Sequence, residues 1–119
     1  MRRTFIELRF FSARANSLGL GDEQLRKLQA DIVLEGGAVI PGTGGLRKIR
    51  CAGKHGGKRG GYRVIFADYP AWGIAVLITA FAKNVKENLS AAETRHLKIL
   101  KAALDQELEE QYGPKKRVL

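Results

Sequence analysis

Three basic residues can form a single anion site if the middle of the chain folds as a β-hairpin. Lys48 and Arg50 lie two residues apart in LRKIR, and Arg63 is the second residue of YRVIF. Alternate residues of a strand face the same side of a sheet, so a hairpin joining these segments brings all three together. Cations this close repel one another unless an anion lies among them, and a phosphodiester fits that need.

Such a site could also carry out chemistry on RNA. A guanidinium offers paired donors to phosphate oxygens, and the same donors stabilise the extra negative charge of a pentavalent phosphate. A lysine beside other cations can act as the general acid or base for a 2′-hydroxyl. The alternative is that these are unconnected residues on a solvent-facing strand, and charge alone does not separate binding from catalysis.

The distribution of charge favours a polyanionic partner, either nucleic acid or an acidic protein. The 119-residue chain has a net charge of +9. No Asp or Glu occurs between residues 36 and 67, and this window contains seven cations: Arg47, Lys48, Arg50, Lys54, Lys58, Arg59 and Arg63. Most of the excess charge is therefore concentrated in the middle of the chain.

The other reactive residues do not favour thiol, metal or nucleotide-cofactor chemistry. Cys51 is the single cysteine, which excludes an intramolecular disulfide, and its nearest base, His55, follows in a Gly-rich loop without defined geometry. One Cys and two His without clustered carboxylates predict no metal site and no cofactor. In GGKRGG, Arg59 stands where a Walker loop needs Ser or Thr, and a strand follows instead of a helix.

The first half of the chain predicts one strand and at least one helix. Alternation in TFIEL predicts a strand over Thr4–Leu8, and a helical turn is possible around Ser12–Ser17. Asp22 is expected to cap a helix that continues to about Glu35, where Gly36 and Gly37 end it. The glycines and proline of AVIPGTGG predict a loop.

The second half predicts an antiparallel meander followed by a long helix. Three strands are expected over Leu46–Ala52, Tyr62–Tyr69 and Ile74–Ala82. Ser90 and Glu93 form a capping box, and a leucine stripe follows until Gly113, with its apolar face turned to the core. We expect one α+β domain over residues 1–119, with a mobile basic tail over residues 113–119. Without a long apolar run or a secretory signal, a cytoplasmic location is expected.

Three segments resemble successive motifs of the HigB-type branch of the RelE/ParE toxin superfamily: VIPGTGGLRKIR, GGKRGGYRVIF and ITAFAKNVKENLS. The resemblance extends from about Phe5 to Leu108. It implies a compact RelE-like fold, with an N-terminal strand and helices, an antiparallel sheet and a closing helix. It also implies a toxin that cleaves mRNA in the decoding site of the ribosome, by metal-independent attack of a 2′-hydroxyl on the adjacent phosphate.

The resemblance further implies roles for particular residues. Arg63 would bind the phosphate and stabilise the transition state, and Lys48 or Arg50 would handle the proton of the 2′-hydroxyl. Lys83 and Lys86 would hold the substrate or protonate the leaving 5′-oxygen. Contacts with RNA or the ribosome are expected from Arg47, Lys54, Lys58, Arg59, Asn84 and Lys86, with the Gly-rich tip gripping ribosomal RNA.

One feature departs from the family pattern. Several RelE-like toxins place a Tyr or His soon after the last strand, whereas NVKENLSAAE contains neither. The general acid is therefore left open, with cations as its expected replacement. His55 lies in the loop and His96 in the closing helix, and neither position suggests a substitute.

The resemblance implies a cognate antitoxin, expected to be a HigA-like helix-turn-helix protein, with operator DNA bound only through the toxin–antitoxin complex. The other expected partners are the ribosome and mRNA, and no membrane. Two alternatives stay open: a ParE-like inhibitor of DNA gyrase, and a non-catalytic basic module that binds RNA or DNA. The cations of LRKIR and GYR favour the endonuclease.

Overall fold

One five-stranded mixed sheet organises the residues described by the computed structural model, which are 2–53, 61–83 and 88–113. Its strands are β1 (Thr4–Glu7), β2 (Ala38–Val39), β3 (Arg47–Cys51), β4 (Tyr62–Tyr69) and β5 (Ile74–Ala82). The helices are α1 (Arg9–Ser17), α2 (Asp22–Glu35) and α3 (Ala91–Tyr112), with a 3₁₀ turn over Pro70–Trp72. The strand order is β1-β5-β4-β3-β2, and β1 is parallel to β5 while the other pairs are antiparallel. The predicted α+β, RelE-like fold is confirmed.

Two apolar cores lie on opposite faces of the sheet. Helices α1 and α2 cover one face, where Phe11, Leu28 and Ile32 are buried against β-strand residues. Helix α3 covers the other face through its leucine stripe, which confirms the core role predicted for that stripe: Leu97, Leu100, Leu104 and Leu108. Each fully buried side chain of this size contributes about 1.5–3 kcal/mol. The sheet is therefore held rigidly from both sides.

The meander is confirmed: β4 and β5 have the predicted bounds, and β3 is one residue shorter at each end than the predicted Leu46–Ala52. Helix α2 also has the predicted span, but Asp22 is not its cap. The N-cap is Gly21, whose N–H donates to Gln24 Oε1 at 2.8 Å, because the chain enters the helix one residue earlier than expected. At the other end Gly36 adopts a left-handed conformation with φ of 73°, as a helix-ending glycine does.

Helix α1 and strand β2 correct two predictions. Helix α1 begins at Arg9 rather than near Ser12, because Phe11 and Ala15, four residues apart, both pack into the core beneath the sheet. Strand β2 lies inside the segment predicted as loop, where Ala38 pairs with Lys48 and Val39 with Arg47. It forms because the outer edge of β3 would otherwise leave backbone groups without partners.

The turn after β2 fixes the start of β3. Thr43 is fully buried, and its hydroxyl donates to Ile40 O at 2.7 Å while accepting from the Leu46 N–H at 3.1 Å. Gly42 and Gly44 beside it have φ of 80° and 79°, which other residues adopt only with strain. The glycines of GTGG therefore shape a turn that holds β3 in register.

Helix α3 is capped at its start and hydrogen-bonded to the sheet farther along. The predicted capping box is present, since Ser90 Oγ accepts from the Glu93 N–H at 3.1 Å and Glu93 Oε1 accepts from the Ser90 N–H at 2.8 Å. Farther along the helix, Asp105 Oδ1 accepts from the Tyr69 hydroxyl at 2.7 Å and from Lys101 Nζ at 2.6 Å. The expected mobile tail from residue 114 onwards lies outside the described residues. No helix in the described segments has the length and hydropathy of a membrane span.

Candidate nucleic-acid interface

The pairing of β3 with β4 brings Lys48, Arg50 and Arg63 to one face of the sheet. Arg50 lies directly opposite Arg63, and Lys48 lies opposite Ile65. Directly opposed residues of an antiparallel pair point to the same side, and Ile65 belongs to the core beneath α3. The three cations therefore occupy the α3 side of the sheet.

The described residues around Arg63 do not compensate its charge. Its Nη1 nitrogen is buried and has no hydrogen-bond partner among the described residues. Like charges directly opposite each other on a sheet are destabilising, and an unsatisfied buried donor costs about 1–3 kcal/mol or more when it is charged. Within the described segments, no acidic side chain pairs with any of the three cations. This arrangement favours an anion that supplies several acceptor oxygens.

A β-bulge adds an aromatic side chain to this face. Ile65 pairs with Thr79 but Phe66 pairs with Leu77, so Ile78 is an extra residue in β5. The shift places Thr79 and Phe81 on the α3 side, with Phe81 directly opposite Arg63. Sequence reasoning missed Phe81, because an aromatic residue in the apolar run ITAFA is typical of a buried core strand.

Two adjoining cavities form a groove between the sheet and the start of α3, which we call the α3 groove. Their volumes are about 320 Å³ and about 200 Å³, and their shared wall is Ile65, Phe81 and Leu89. Lys48 lines the smaller cavity, and Arg14, Glu93 and His96 line the larger one. The α3 groove therefore continues from the cationic face towards α1.

The remaining predicted residues divide into three groups. Lys83 is half-buried directly after β5, and its N–H donates to Gly61 O at 3.0 Å, which extends the β4–β5 pairing. Arg47 lies on the opposite face, where its Nη1 donates to Gly36 O at 3.1 Å at the end of α2, so it is not brought to the other cations. The rest lie outside the described residues: Lys54, His55, Lys58, Arg59, Asn84 and Lys86.

Cys51 and His96 complete the set of candidate reactive groups. Cys51 is buried, and burial together with Asp31 raises the pKa of its thiol, so it is a poor nucleophile, in agreement with the sequence reading. His96 is exposed on α3 at the edge of the α3 groove. Among the described residues, no three His, Cys, Asp or Glu side chains lie together in a way that would hold a metal ion.

Comparison with known protein families gives the class of this molecule. The family described as "RelE toxin of RelE / RelB toxin-antitoxin system" matches residues 3–113. The match covers nearly the whole chain, so this protein belongs to the RelE toxin family. It is therefore the toxin component of a toxin–antitoxin system, and membership implies a cognate antitoxin that neutralises it.

Proposed function

We propose that this protein is an endoribonuclease that cleaves mRNA on the ribosome and thereby inhibits translation. The observation that carries the proposal is the buried, unpartnered Nη1 of Arg63, directly across the sheet from Arg50. A scissile phosphate supplies the acceptor oxygens that these guanidinium groups lack. Within the RelE toxin family we assign the chain to the HigB-type branch, on the strength of its three motif segments.

The proposed reaction needs no co-reactant. The 2′-oxygen attacks the adjacent phosphorus, the bond from phosphorus to the 5′-oxygen breaks, and the products carry a 2′,3′-cyclic phosphate and a 5′-hydroxyl. Arg63 and Arg50 stabilise the negative charge that accumulates on the phosphate oxygens as the pentavalent state forms. The rate therefore depends most on Arg63, the more enclosed of the two.

The chemistry of lysine and arginine side chains indicates which residues can transfer protons. A guanidinium does not lose its proton in proteins, so Lys48, acting as a neutral amine, accepts the proton of the 2′-hydroxyl in place of Arg50. Lys83, two residues beyond Phe81, donates a proton to the leaving 5′-oxygen, and Lys86 holds the substrate. These cations replace the Tyr or His that related toxins place after the last strand.

The remaining contacts are assigned to the ribosome and to the antitoxin. Lys54, Lys58 and Arg59 bind the phosphates of ribosomal RNA through their positive charge, and Asn84 contacts the mRNA. Arg47 faces α2, so we give it no part in the phosphate site. The antitoxin is proposed to be a HigA-like helix-turn-helix protein, and operator DNA is bound through the complex of the two proteins.

Primer extension on cellular mRNA after induced expression tests the proposal. We expect cuts within codons of translated messages, and none when translation initiation is blocked. Arg63→Ala should abolish the cuts and the growth arrest, and Arg63→Lys should restore only a small part, because a point charge cannot make the paired contacts. Arg26→Ala is the control, since it removes one exposed cation from α2 without touching the basic face.

Other outcomes would contradict the proposal in different ways. DNA breaks with intact mRNA would indicate a gyrase inhibitor on the same fold. Growth arrest without cuts in either nucleic acid would indicate a non-catalytic RNA- or DNA-binding protein. Full toxicity of a folded Arg63→Ala protein would show that the site lies elsewhere.

A further inference from the structure

We propose that the α3 groove binds the nucleotide on the 3′ side of the scissile phosphate, with its base on Phe81 and its outer phosphate on Arg14. This subsite rests on the proposed function, because it takes the neighbouring unit of the same RNA strand. It is continuous with the cationic face, since Phe81 lines both cavities of the groove and lies directly opposite Arg63.

The floor of the α3 groove suits a nucleobase. Ile65, Phe81 and Leu89 form an apolar wall, and aromatic side chains stack with any base through their π-faces. The β-bulge at Ile78 is what turns Phe81 to this side of the sheet. A base rather than a phosphate fits this part of the groove, because apolar surface offers a phosphate no donors.

Arg14 is positioned to bind a second phosphate. Its Nε donates to Ala80 O at 3.2 Å, at a point where β1 no longer pairs with β5, since the last pair is Glu7 with Leu77. This bond fixes the guanidinium at the wall of the groove. Neither of its Nη nitrogens has a hydrogen-bond partner within residues 2–53, 61–83 and 88–113, and we assign them to the second phosphate.

The cations are spread across the sheet and are not gathered at one point. Lys48 lies on β3, Arg63 on β4 and Arg14 beside β5, so the backbones of Lys48 and Arg14 are about two strand spacings, or about 10 Å, apart. A strand with two phosphates and a base between them can contact all three. This arrangement favours an oligonucleotide over a single nucleotide.

Nuclear magnetic resonance titration of the full chain tests this subsite. The probes are adenosine 3′-monophosphate and an RNA trinucleotide made uncleavable by 2′-O-methyl groups. We expect both to shift signals of Arg63, and only the trinucleotide to shift the Phe81 ring and the Arg14 Nε–H. The trinucleotide should bind about tenfold more tightly than the mononucleotide, from one stacked base and one further phosphate.

Three variants separate the contributions. Arg14→Gln should weaken trinucleotide binding about fivefold and leave mononucleotide binding unchanged. Arg9→Gln removes the same charge from an exposed position of α1 outside the groove and should change neither affinity. Phe81→Leu keeps an apolar side chain but removes the ring, so the preference for the trinucleotide should fall several-fold. Thermal unfolding of each variant confirms that it is folded.

The outcomes distinguish this inference from the proposed function. If Arg63 responds to both probes while Phe81 and Arg14 respond to neither, the subsite is wrong and the phosphate site stands. If Phe81 and Arg14 respond but Arg63 does not, the subsite stands and the phosphate site is wrong. Absence of any binding up to millimolar concentrations counts against both, and equal weakening by Arg14→Gln and Arg9→Gln overturns the subsite.

Discussion

At the two ends of the interface between α3 and the sheet, the charges of two basic side chains are compensated differently. At one end Lys101 is 8% exposed, its Nζ lies 2.6 Å from Asp105 Oδ1, and it also lies 5.1 Å from the centre of the Tyr69 ring. At the other end Arg63 faces Arg50, and its buried Nη1 has no partner among the described residues. One cation is satisfied within the protein, and the other is the one that we propose to bind a phosphate.

We interpret this difference as the difference between a structural site and a functional one. A cation whose hydrogen bonds are satisfied internally fastens α3 to the sheet, and removing its partner leaves a buried charge uncompensated. A cation held without a partner costs stability in the free protein, and that cost is recovered when an anion binds. The proposal predicts that mutations at the two ends change different measured quantities.

The largest expected effect is on catalysis by Arg63→Met. Cleavage on programmed ribosomes should fall about 10²–10³-fold, the range typical for loss of a transition-state donor. The free energy of unfolding should stay the same or rise by about 1 kcal/mol, because a poorly satisfied charge is replaced by an apolar side chain. Urea unfolding measures the second quantity. A large loss of stability would place Arg63 with the structural cations instead.

The next largest effect is on stability at the opposite end. Asp105→Ala should lower the free energy of unfolding by about 1–3 kcal/mol, because Lys101 and Tyr69 both lose their acceptor. The effect is moderate because the Asp105 side chain is 40% exposed and water replaces part of the lost bonding. Cleavage at a temperature where the variant is fully folded should be within about threefold of wild type. A loss of cleavage comparable to that of Arg63→Met would show that the two sites do not differ in function.

A smaller effect is expected from alkaline pH through Tyr69. Burial and the hydrogen bond to Asp105 raise the pKa of Tyr69 above the ordinary value for tyrosine. The folded state therefore keeps its proton where the unfolded state loses it, and stability should fall as pH rises above about 10. Tyr69→Phe should weaken this dependence of stability on pH and lower the free energy of unfolding by about 1 kcal/mol at neutral pH. Urea unfolding at several pH values from 7 to 11 measures both, and an unchanged slope would contradict the assignment.

The smallest effect is expected at Arg47, which lies next to Lys48 but on the other face. Arg47→Gln should leave cleavage within about twofold of wild type and lower stability by about 0.5–1 kcal/mol, through loss of the bond to Gly36 O. Lys48→Gln, one residue away, should reduce cleavage far more. Comparable losses from both would mean that net charge, not the sheet face, governs activity.

Much of the site could be predicted from sequence because it depends on short-range rules. The alternation of a strand places Lys48 and Arg50 together, and one hairpin brings Arg63 opposite Arg50. The capping box at Ser90 and the leucine stripe of α3 follow from spacings of three and four residues. Each of these patterns involves residues close in the chain, so the local sequence contains the information.

Other features depended on contacts between distant segments. The bulge at Ile78 sets the side on which Phe81 lies, and it arises from pairing between strands, which ITAFA alone does not reveal. Strand β2 forms on a sequence typical of a loop because β3 presents an open edge. The bond from Arg14 to Ala80 O joins residues 66 positions apart.

Local patterns were therefore sufficient for the spans of α2 and α3, for the meander and for the shared face of Lys48, Arg50 and Arg63. Tertiary structure decided which cations are buried and which side chains from distant segments lie around them. Lys101 pairs with Asp105 four residues along the same helix, and the packing of α3 on β4 adds Tyr69 to this cluster. Arg63 lies opposite Arg50 and Phe81, and no acidic side chain of the described residues pairs with it. The physical difference between the two cations is therefore an acidic partner within reach.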